Sequence, residues 1–566
     1  MNITLQTTET LRRIGVLGHL ESAGDRSELM ALLDAEGEGP PLQVDFYDAD
    51  TLPPEVVAAL ARRMDQPAKL KVVAYHGLLT HSLMRLGLTV QAVATQSLRA
   101  PLRDCKALAL AGSANSLDKI LHIVSRLPVK DVAIFVAQHV AEDQVNLLDQ
   151  LLKVRTDYRV VMPQHLVPVE PGTLYVAPPG HHMQIAHGLV YLTRDRKVQF
   201  ARPSIDVLFE ALAGEYGDQA MAVLLCGFGG DGVAGCAALR KAGACVLVED
   251  PSECGEARVL PEGAVAAGHF DQVLRLQAIT SIAAAAVSGP AAGPAGALLD
   301  LFVEALWGQY GYDFRGYQRD SLERRFRSLM TAFRSPDFCA FQRAVCADPT
   351  LFHRMVAELT VGVTEFFRHP EQFRALREQV LPYLDSFPLI KIWSAGCATG
   401  EEPYSLAMLL DELGLLGKAR LFATDLNHYL LELAKSGLYP RSALAPSRDN
   451  YLKTGGTRGF DSHVVVGSRY LAVKDPLCKA ALIHQHSLID GGVFNEFQLI
   501  LCRNVMIYFD LDTQRAIFRR FARSLHPDGF LVLGPQDGLA HVARAEGFVP
   551  RAPGSHIYRF DERPRP

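Results

Sequence analysis

Two sets of residues in this sequence have the types and spacing to do chemistry. The first lies in "IKIWSAGCATGEEPYS", residues 390–405, where an apolar β-branched run passes through Gly396 and Gly400 into Glu401 and Glu402. A P-loop would need Lys and then Ser or Thr after its glycines, and two carboxylates at a helix start would repel a triphosphate. The dinucleotide fingerprint G-x-G-x-x-G is missing as well. What remains is a strand–loop–helix whose glycines let a ligand approach the backbone at a strand's carboxyl end. Twenty-nine residues past Gly396, "LFATDLN" ends a second strand-like run at Asp425, where a carboxylate accepts from ribose hydroxyls. A ligand with a ribose and a positive charge but no phosphate fits these groups. S-adenosylmethionine is such a ligand, its amino group meeting Glu401 or Glu402. Two further stretches frame the same crevice: "LCRNVMIYFD" leaves a strand with Arg503 and Asn504 at its carboxyl end, and "ELTVGVTEFFRHPEQF" places Thr364 and Arg368 ahead of it.

The second set is a hydroxyl, an imidazole and a carboxylate. "ALALAGSANSLDKI" runs a strand into Ser113, "IFVAQHV" runs one into His139, and "LLCGFGGDGVAG" runs one into a glycine-rich turn carrying Asp231. Taken singly, Ser113 reads as an N-cap, His139 as a surface residue and Asp231 as a turn former. Together they fall at the carboxyl edge of one parallel sheet, where such sheets build their active sites. The trio can run acyl transfer: the serine attacks, the histidine carries the proton, and the aspartate holds the histidine tautomer.

The elements that must position these groups alternate strand and helix. "RIGVLG", "LQVDFYDA" and "KLKVVAY" are strand-like, with "SELMALLDA" and "EVVAALARRM" helical between them; the pattern restarts near residue 100 with "KALALAG", "DVAIFVAQ" and "AVLLCGF". Such alternation means parallel α/β sheets. Residues 299–380 are helical in period, and from 389 the alternation returns in "LIKIWSA", "RLFATD", "FQLILCRN" and "GFLVLGPQD". "IAAAAVSGPAAGPAGA", residues 282–297, reads as a linker, since small residues with Pro and Gly build no core of their own. At 566 residues the chain is too long for one core, and 49% apolar with 21% charged residues is ordinary globular composition. A formal net charge of −5 gives no reason to expect nucleic acid. The ten cysteines contain no C-x-x-C pair, so free thiols in a reducing cytoplasm are expected, with no metal. No apolar h-region opens the sequence and no run of about 18 strongly apolar residues occurs, so neither secretion nor membrane insertion is expected.

Residues 299–560 resemble the chemotaxis receptor methyltransferases, the CheR family, through "GYDFRGYQRDSLERRFRSLM", "TEFFRHPEQF", "WSAGCATGEEPYSLAM", "ATDLNHYLLELAKSGLY", "HSLID" and "CRNVMIYFDLDTQRAIFRRFARSLHPDGFLVLG", in family order. The resemblance implies S-adenosylmethionine held among Thr364, Arg368, Glu401, Asp425, Ser487, Leu488, Arg503 and Asn504, with Arg368 and Tyr508 near the transferred methyl. Two positions depart from the family, where Gly362 and Ser487 each replace an asparagine. A glutamate acceptor, with a reference pKa of about 4.3, is already ionised at neutral pH and needs no general base. The enzyme supplies alignment and exclusion of water. Arg315, Arg319, Arg324, Arg325 and Arg327 can offer a basic helix to an acidic receptor helix, or simply a solvated face.

Residues 104–280 resemble the catalytic domain of the chemotaxis receptor methylesterases, the CheB family, through "AQHV", "LYVAPPGHHM", "ARPSIDVLFEALA" and "LLCGFGGDGVAGCAALRKAGACVLVEDPSEC". The resemblance assigns Ser113, His139 and Asp231 as the triad. It places "GHHM" in the substrate cleft, which turns His181, His182 and His187 away from a metal site. The family's G-A-S-T-G-G nucleophile loop is here Ala111-Gly112-Ser113-Ala114-Asn115-Ser116, with both later glycines gone, and Phe228 stands where the family has Met. Asn115 tolerates a left-handed conformation, and Ala114 still offers a backbone N–H to an oxyanion. Residues 1–100 resemble a shortened, degenerate response-regulator receiver. "VLGHLES" lacks the acidic pair, Gln96 stands near the expected lysine, and Asp48 or Asp50 would be the phosphate acceptor.

The expected architecture is α/β with three parallel-sheet domains plus a small all-helical subdomain. Its boundaries are a receiver-like domain over 1–100, an esterase domain over 104–280, a linker over 282–297, a helical domain over 299–375 and a methyltransferase domain over 376–566. The expected function is bifunctional: methylation of chemoreceptor glutamates and hydrolysis of those esters, with glutamine deamidation as a side reaction. The alternative keeps the methyltransferase and makes the esterase-like half a non-catalytic receptor-binding module. The expected partners are methyl-accepting chemoreceptor cytoplasmic domains and other chemotaxis signalling proteins, with no nucleic acid.

Overall fold

The computed structural model describes residues 104–140, 147–289, 293–294, 296–359, 364–468 and 470–561. From the first hundred it describes 2–7, 12–17, 23–34, 42–46, 52–64, 70–74, 83, 88 and 90–92. The chain divides into two compact units, one of residues 1–97, 316–321 and 350–566, the other of residues 98–315 and 322–349.

In the first unit, β1 (Asn2–Thr7) pairs antiparallel with β2 (Arg12–Leu17), which continues through parallel β3 (Leu42–Phe46), β4 (Leu70–Ala74) and β5 (Val90–Ala92). Ile14, Val16, Val44, Phe46 and Val72 fill its interior with Val56 and Leu60 of the helix Pro54–Met64. A receiver-type sheet runs 2-1-3-4-5. Here an antiparallel strand takes the outer side of the first parallel strand, a strand the alternation reading passed over although Asn-Ile-Thr-Leu-Gln-Thr alternates polar and apolar. Asp48, Asp50 and Gln96 lie outside the described residues, as does Gly362. The core of this domain also takes in Leu433 and Leu438, so it is built against residues more than three hundred positions away.

The second unit holds β6 (Ala107–Gly112), β7 (Ala133–Gln138), β8 (Arg159–Val161), β9 (Val167–Pro168), β10 (Thr173–Val176), β11 (His182–Ala186), β12 (Leu189–Thr193), β13 (Ala220–Leu224), β14 (Cys245–Glu249) and β15 (Gln272–Leu274). Seven of them form a parallel sheet in the order β15-β14-β13-β6-β7-β10-β8, and β11, β12 and β9 form a small antiparallel sheet. The buried runs Ala107–Gly112 and Ala220–Leu224 are apolar throughout, as a sheet covered on both faces requires. After β6 the chain proceeds to β7 on one side and later returns to β13 on the other. The crevice between their carboxyl ends is therefore a topological switch point.

The expected linker is corrected here. Leu276–Ser288 is a helix, and Ile279, Ile282, Ala283, Ala284, Ala285 and Val287 are buried. Alanine is the strongest helix former, and its small side chain lets other helices come close. Cys339 and Gln342 of the helix Phe338–Ala347 reach Ile282 O and Ser281 Oγ, the latter at 3.0 Å. Phe302, Phe326, Phe338 and Phe341 stack edge-on around them, with ring centroids 5.3–5.8 Å from Phe302. Most of the helical segment expected to cap the methyltransferase thus shares a core with the first sheet-bearing half. The helix ends at Gly289, whose φ of 91° suits glycine.

Back in the first unit, β16 (Ile390–Ala395), β17 (Ala419–Asp425), β18 (Leu438–Pro440), β19 (Val464–Val466), β20 (Tyr470–Val473), β21 (Ala481–Gln485), β22 (Phe497–Cys502), β23 (Leu525–Leu533), β24 (Phe548–Pro550) and β25 (Ile557–Phe560) complete the strands. The large sheet runs β21-β17-β16-β22-β23-β25-β24, parallel except at β25 and β24; β18, β20 and β19 form an antiparallel trio. Again the first strand, β16, has its successor on one side and a later strand, β22, on the other, which makes a second switch point. Ile282→Ala should cost about 2–5 kcal/mol, seen as a lower urea midpoint for the unit that contains it. A linker residue would move that midpoint by less than ~0.5 kcal/mol.

Candidate functional site

At the β16–β22 switch point the loop after β16 is pinned to the end of β17. Gly396 and Cys397 donate backbone N–H to Thr424 O at 2.7 and 2.9 Å, and Ala398 donates to Asp425 Oδ2 at 3.0 Å. Asp425 Oδ1 accepts from Asn427 N at 2.9 Å. Gly396 has φ 80° and Gly400 φ 94°, and Cβ atoms there would run into Val505 and Ala434. Burial raises the Asp425 carboxyl above its ordinary range, against the lowering pull of those backbone donors. The next strand over, β21, leads into Ser487, whose Oγ accepts from Ile489 and Asp490 N–H, and Leu488, whose carbonyl accepts from Arg520. His486 N donates to Asp425 O at 3.1 Å, which keeps this loop beside the carboxylate.

The two glutamates divide. Glu402 accepts from Ser394 Oγ at 2.7 Å and pairs with Arg503 at 3.0 Å. Glu401 accepts from Thr399 Oγ1 at 2.6 Å. Arg503, only 6% exposed, also donates Nε to Gln372 Oε1 at 2.8 Å and Nη2 to Arg368 O. Gln372 in turn donates to Leu533 O at 2.8 Å. The "TEFFR" segment is anchored by buried Phe366 and Phe367, the latter donating N–H to Ser405 Oγ at 2.9 Å. Thr364 and Arg368 flank those rings, half-buried. Burial and the charges of Arg503 and Arg368 hold the His369 ring below its usual pKa. Asn504, at φ 61°, gives its backbone and side-chain N–H groups to Asp537, which also takes Gly534 N at 2.8 Å. Tyr508 closes the following turn, its carbonyl accepting from Gln318 N at 2.9 Å.

Glu401, Asp425, Ser487, Leu488, Arg503 and Asn504 thus follow the carboxyl ends of the neighbouring strands β16, β17, β21 and β22, and Arg368 joins them through its carbonyl on Arg503, with Arg503 and Asn504 held by protein partners. Gln372, His369, Ser394 and Asp537 were missed. They sit inside quoted motifs, "RHPEQF", "WSAG" and "GPQD", but no spacing rule marks them. The expected residues suit S-adenosylmethionine chemically: Asp425 is partly exposed after β17, two carboxylates open the helix Glu401–Glu412, and residues 396–400 hold no lysine for a phosphate.

At the β6–β13 switch point, Ser113 follows β6, His139 follows β7 and Asp231 follows β13. Ser113 N donates to Cys226 O at 2.9 Å, and His139 N to Gly112 O at 3.1 Å. The loops cross so closely that a Cβ on Gly112 would lie 2.5 Å from Ser116 Cβ, and one on Gly227 would lie 2.5 Å from Ser113 Cβ. Asn115 adopts φ 64°, the left-handed conformation expected of it. His139 Nε2 lies 2.7 Å from Asp231 Oδ2, which leaves Nδ1 toward other partners. Among the described residues, Ser113 Oγ makes no hydrogen bond to the ring. Phe228 is half-exposed. His181 takes a bond from Arg194 at 2.9 Å and His182 meets Arg196 O at 3.1 Å, so these rings serve different partners.

Asp231 is held by the start of the helix Ile205–Tyr216. Ser204 Oγ, Ile205 N and Asp206 N donate to it at 2.7, 2.7 and 3.0 Å. Burial alone would raise this carboxyl; the bonds from His139, Asp206 N–H, Ser204 and Ile205 N–H outweigh it and hold the pKa low. Asp206 returns the grip, its Oδ1 accepting from Gly232 N at 2.8 Å and Gly235 N at 2.7 Å. Burial, aided by the charge of Asp231 and against the two glycine N–H groups, raises Asp206 to about 6. Ser204 and Asp206 were not singled out, although "RPSID" was legible.

A carboxyl raised on folding binds its proton more tightly in the folded state. That stabilisation is complete below the unfolded value of 3.8 and is lost as pH climbs through about 6. The urea midpoint of this unit should therefore fall between pH 4.5 and 7.5, and Asp206→Asn should flatten the fall.

Comparison with known proteins finds relatives of both parts of the chain. The CheB methylesterase family matches residues 108–282, the all-alpha domain of CheR methyltransferase matches 297–360, and its SAM binding domain matches 362–552. The Pseudomonas putida protein named Cher3 is 38% identical over 259 residues, 46% of this chain and 95% of its own length. The chemotaxis protein methyltransferase of Salmonella typhimurium is 31% identical over 43% of this chain and 83% of its own. A 104.1 kDa protein of Rhodobacter capsulatus is 28% identical over 69% of this chain, which spans 44% of it. The Thermotoga maritima CheB methylesterase catalytic domain superposes with a TM-score of 0.30 at 25% identity, over 32% of this chain and 98% of its own. This chain belongs to the CheR family of chemotaxis methyltransferases, binds S-adenosylmethionine, and carries a CheB methylesterase domain in the same polypeptide.

Proposed function

We propose that the chain both writes and erases one mark, methylating glutamate side chains of chemoreceptor cytoplasmic domains and hydrolysing the resulting methyl esters. The observation that carries the second activity is the 2.7 Å pairing of His139 with Asp231, beside Ser113 on one switch point. With S-adenosylmethionine bound, the cofactor supplies an electrophilic methyl on a sulfonium. Asp425 accepts from ribose hydroxyls, Glu401 meets the amino group, and Thr364, Ser487 and Leu488 close the crevice around the rest. Arg368 and Tyr508 orient the acceptor carboxylate, which arrives ionised and needs only alignment and a dry site. Arg503 and Asn504 brace the floor, Arg503 by fixing Glu402 and the backbone of Arg368.

In the other half, Ser113 Oγ attacks the ester carbonyl as His139 takes its proton. Asp231, kept ionised by its four donors, orients the ring and offsets the imidazolium charge. The Ala114 N–H faces the developing oxyanion. Methanol leaves with the proton from His139, and water repeats the sequence to free the enzyme. The same steps act on a glutamine amide, releasing ammonia.

A second reading makes the esterase half a receptor-binding module without turnover. The nucleophile loop favours it: Ser116 Oγ bonds Ser113 O at 2.7 Å, and side chains stand at 114–116 where glycines would open the approach. Methanol release from a pre-methylated receptor cytoplasmic fragment separates the two. Release that Ser113→Ala abolishes supports the triad; no release from the wild type, with methyl transfer intact in the same preparation, establishes the module. In parallel, Asp425→Ala should weaken S-adenosylmethionine binding by about 1.5–3 kcal/mol, roughly 10- to 150-fold, measured by titration calorimetry. An unchanged affinity would remove Asp425 from the cofactor site.

A further inference from the structure

Beneath the nucleophile loop lie two thiols that the reaction does not use. Cys226 follows β13 and is fully buried; Cys254 lies between two short 3₁₀ turns, Pro251–Glu253 and Gly255–Arg258, and is 3% exposed. Their sulfurs and a carboxylate oxygen of Glu249 all lie within 4.8 Å of one another. Glu249 accepts from Cys226 N at 2.9 Å and forms an ion pair with Lys119, whose ammonium also reaches Glu253 O at 3.3 Å. A metal cation entering here would have to displace Lys119 from its carboxylate. A cation beside a pair of thiols instead favours a thiolate. The Cys254 thiol, donating to Cys226, and the Lys119 charge hold Cys226 low despite its burial and the Glu249 carboxylate, while Cys254 is raised.

This pair touches the catalytic edge through the backbone. Cys226 O accepts the Ser113 N–H, Ala257 O accepts Gly227 N–H at 2.7 Å, and Ala114 packs on Cys226, Cys254 and Ala257. Shortening a sulfur–sulfur contact to a bond of about 2.05 Å pulls on both ends. The softer end is the Cys254 segment, where Ala257 leaves helical geometry at φ −82°, ψ 31°.

We propose that Cys226 and Cys254 are an oxidation-sensitive dithiol, closed to a disulfide by a peroxide, and that closure shifts the loop carrying Ser113. The Cys226 thiolate attacks a peroxide oxygen; the O–O bond breaks, leaving a sulfenic acid and, with one proton, water. Cys254 then attacks the sulfenic sulfur, its proton leaving with the displaced hydroxide as a second water. Two thiols and one hydrogen peroxide thus become one disulfide and two waters. The effect on Ser113 rests on the esterase reading; the cross-link itself does not.

The test treats the full chain with a small excess of hydrogen peroxide and maps it without reduction. A peptide pair joining Cys226 to Cys254, lighter by two hydrogens, restored by dithiothreitol and absent from Cys226→Ser and from Cys254→Ser, is expected. Labelling of Ser113 by a fluorophosphonate should fall on oxidation and recover on reduction. A link that forms without changing Ser113 labelling overturns the coupling alone. Failure of the wild-type pair to link overturns the site. Zinc that co-purifies and is lost from either variant would overturn it in favour of a metal site.

Discussion

The methyltransferase fold depends on one buried guanidinium. Arginine keeps its charge, and a charge withdrawn from water must be bonded and paired on the spot. Arg503 meets that demand from two separated segments, through the Arg368 carbonyl and Gln372 on one and Glu402 on the other. Each of these is thereby fixed relative to β22, and the segment carrying Thr364 and Arg368 has its backbone tied to the strand edge. The Asp231 carboxylate imposes the same discipline on the esterase half. Its donors come from a helix start and from the histidine that follows β7. In both halves a buried ion, more than hydrophobic packing, sets where the chemical groups point.

What the sequence made legible follows the physics of patterns. Parallel strands announce themselves as short apolar runs with a polar break, and the break lands at the carboxyl edge, so Ser113, His139, Asp231 and Asp425 could be placed from strand ends alone. Their partners could not. Ser204, Asp206, Gln372 and Asp537 act through hydrogen bonds to residues 25 to 161 positions away; no periodicity encodes such a pairing. The alanine run was misread for a different reason. Composition describes what a segment can bury by itself, and Ala283 to Ala286 are buried by what packs on them. The strand Asn2–Thr7 was readable as an alternation but is one short element beside a longer parallel pattern.

The division into units also departs from chain order. The first domain shares a core with Leu433 and Leu438, in and just beyond the helix that follows Asp425. The helix Pro54–Met64 thus lies against the element that leaves the candidate cofactor site. Through this contact the first sheet packs on the sheet-bearing part of the chain that holds Asp425.

The helix Leu276–Ser288 has a consequence for the history of this polypeptide. Two proteins joined end to end remain separable as long as the joint is a solvated tether. Here the joint has been taken into an interior, with Ile282 and the Phe302 cluster behind it. A gene split at that point would leave one product with a stripped apolar face and the other with helices lacking their support. Fission is then penalised by folding itself, whatever the advantage of separate regulation, and the two parts of the chain are inherited together.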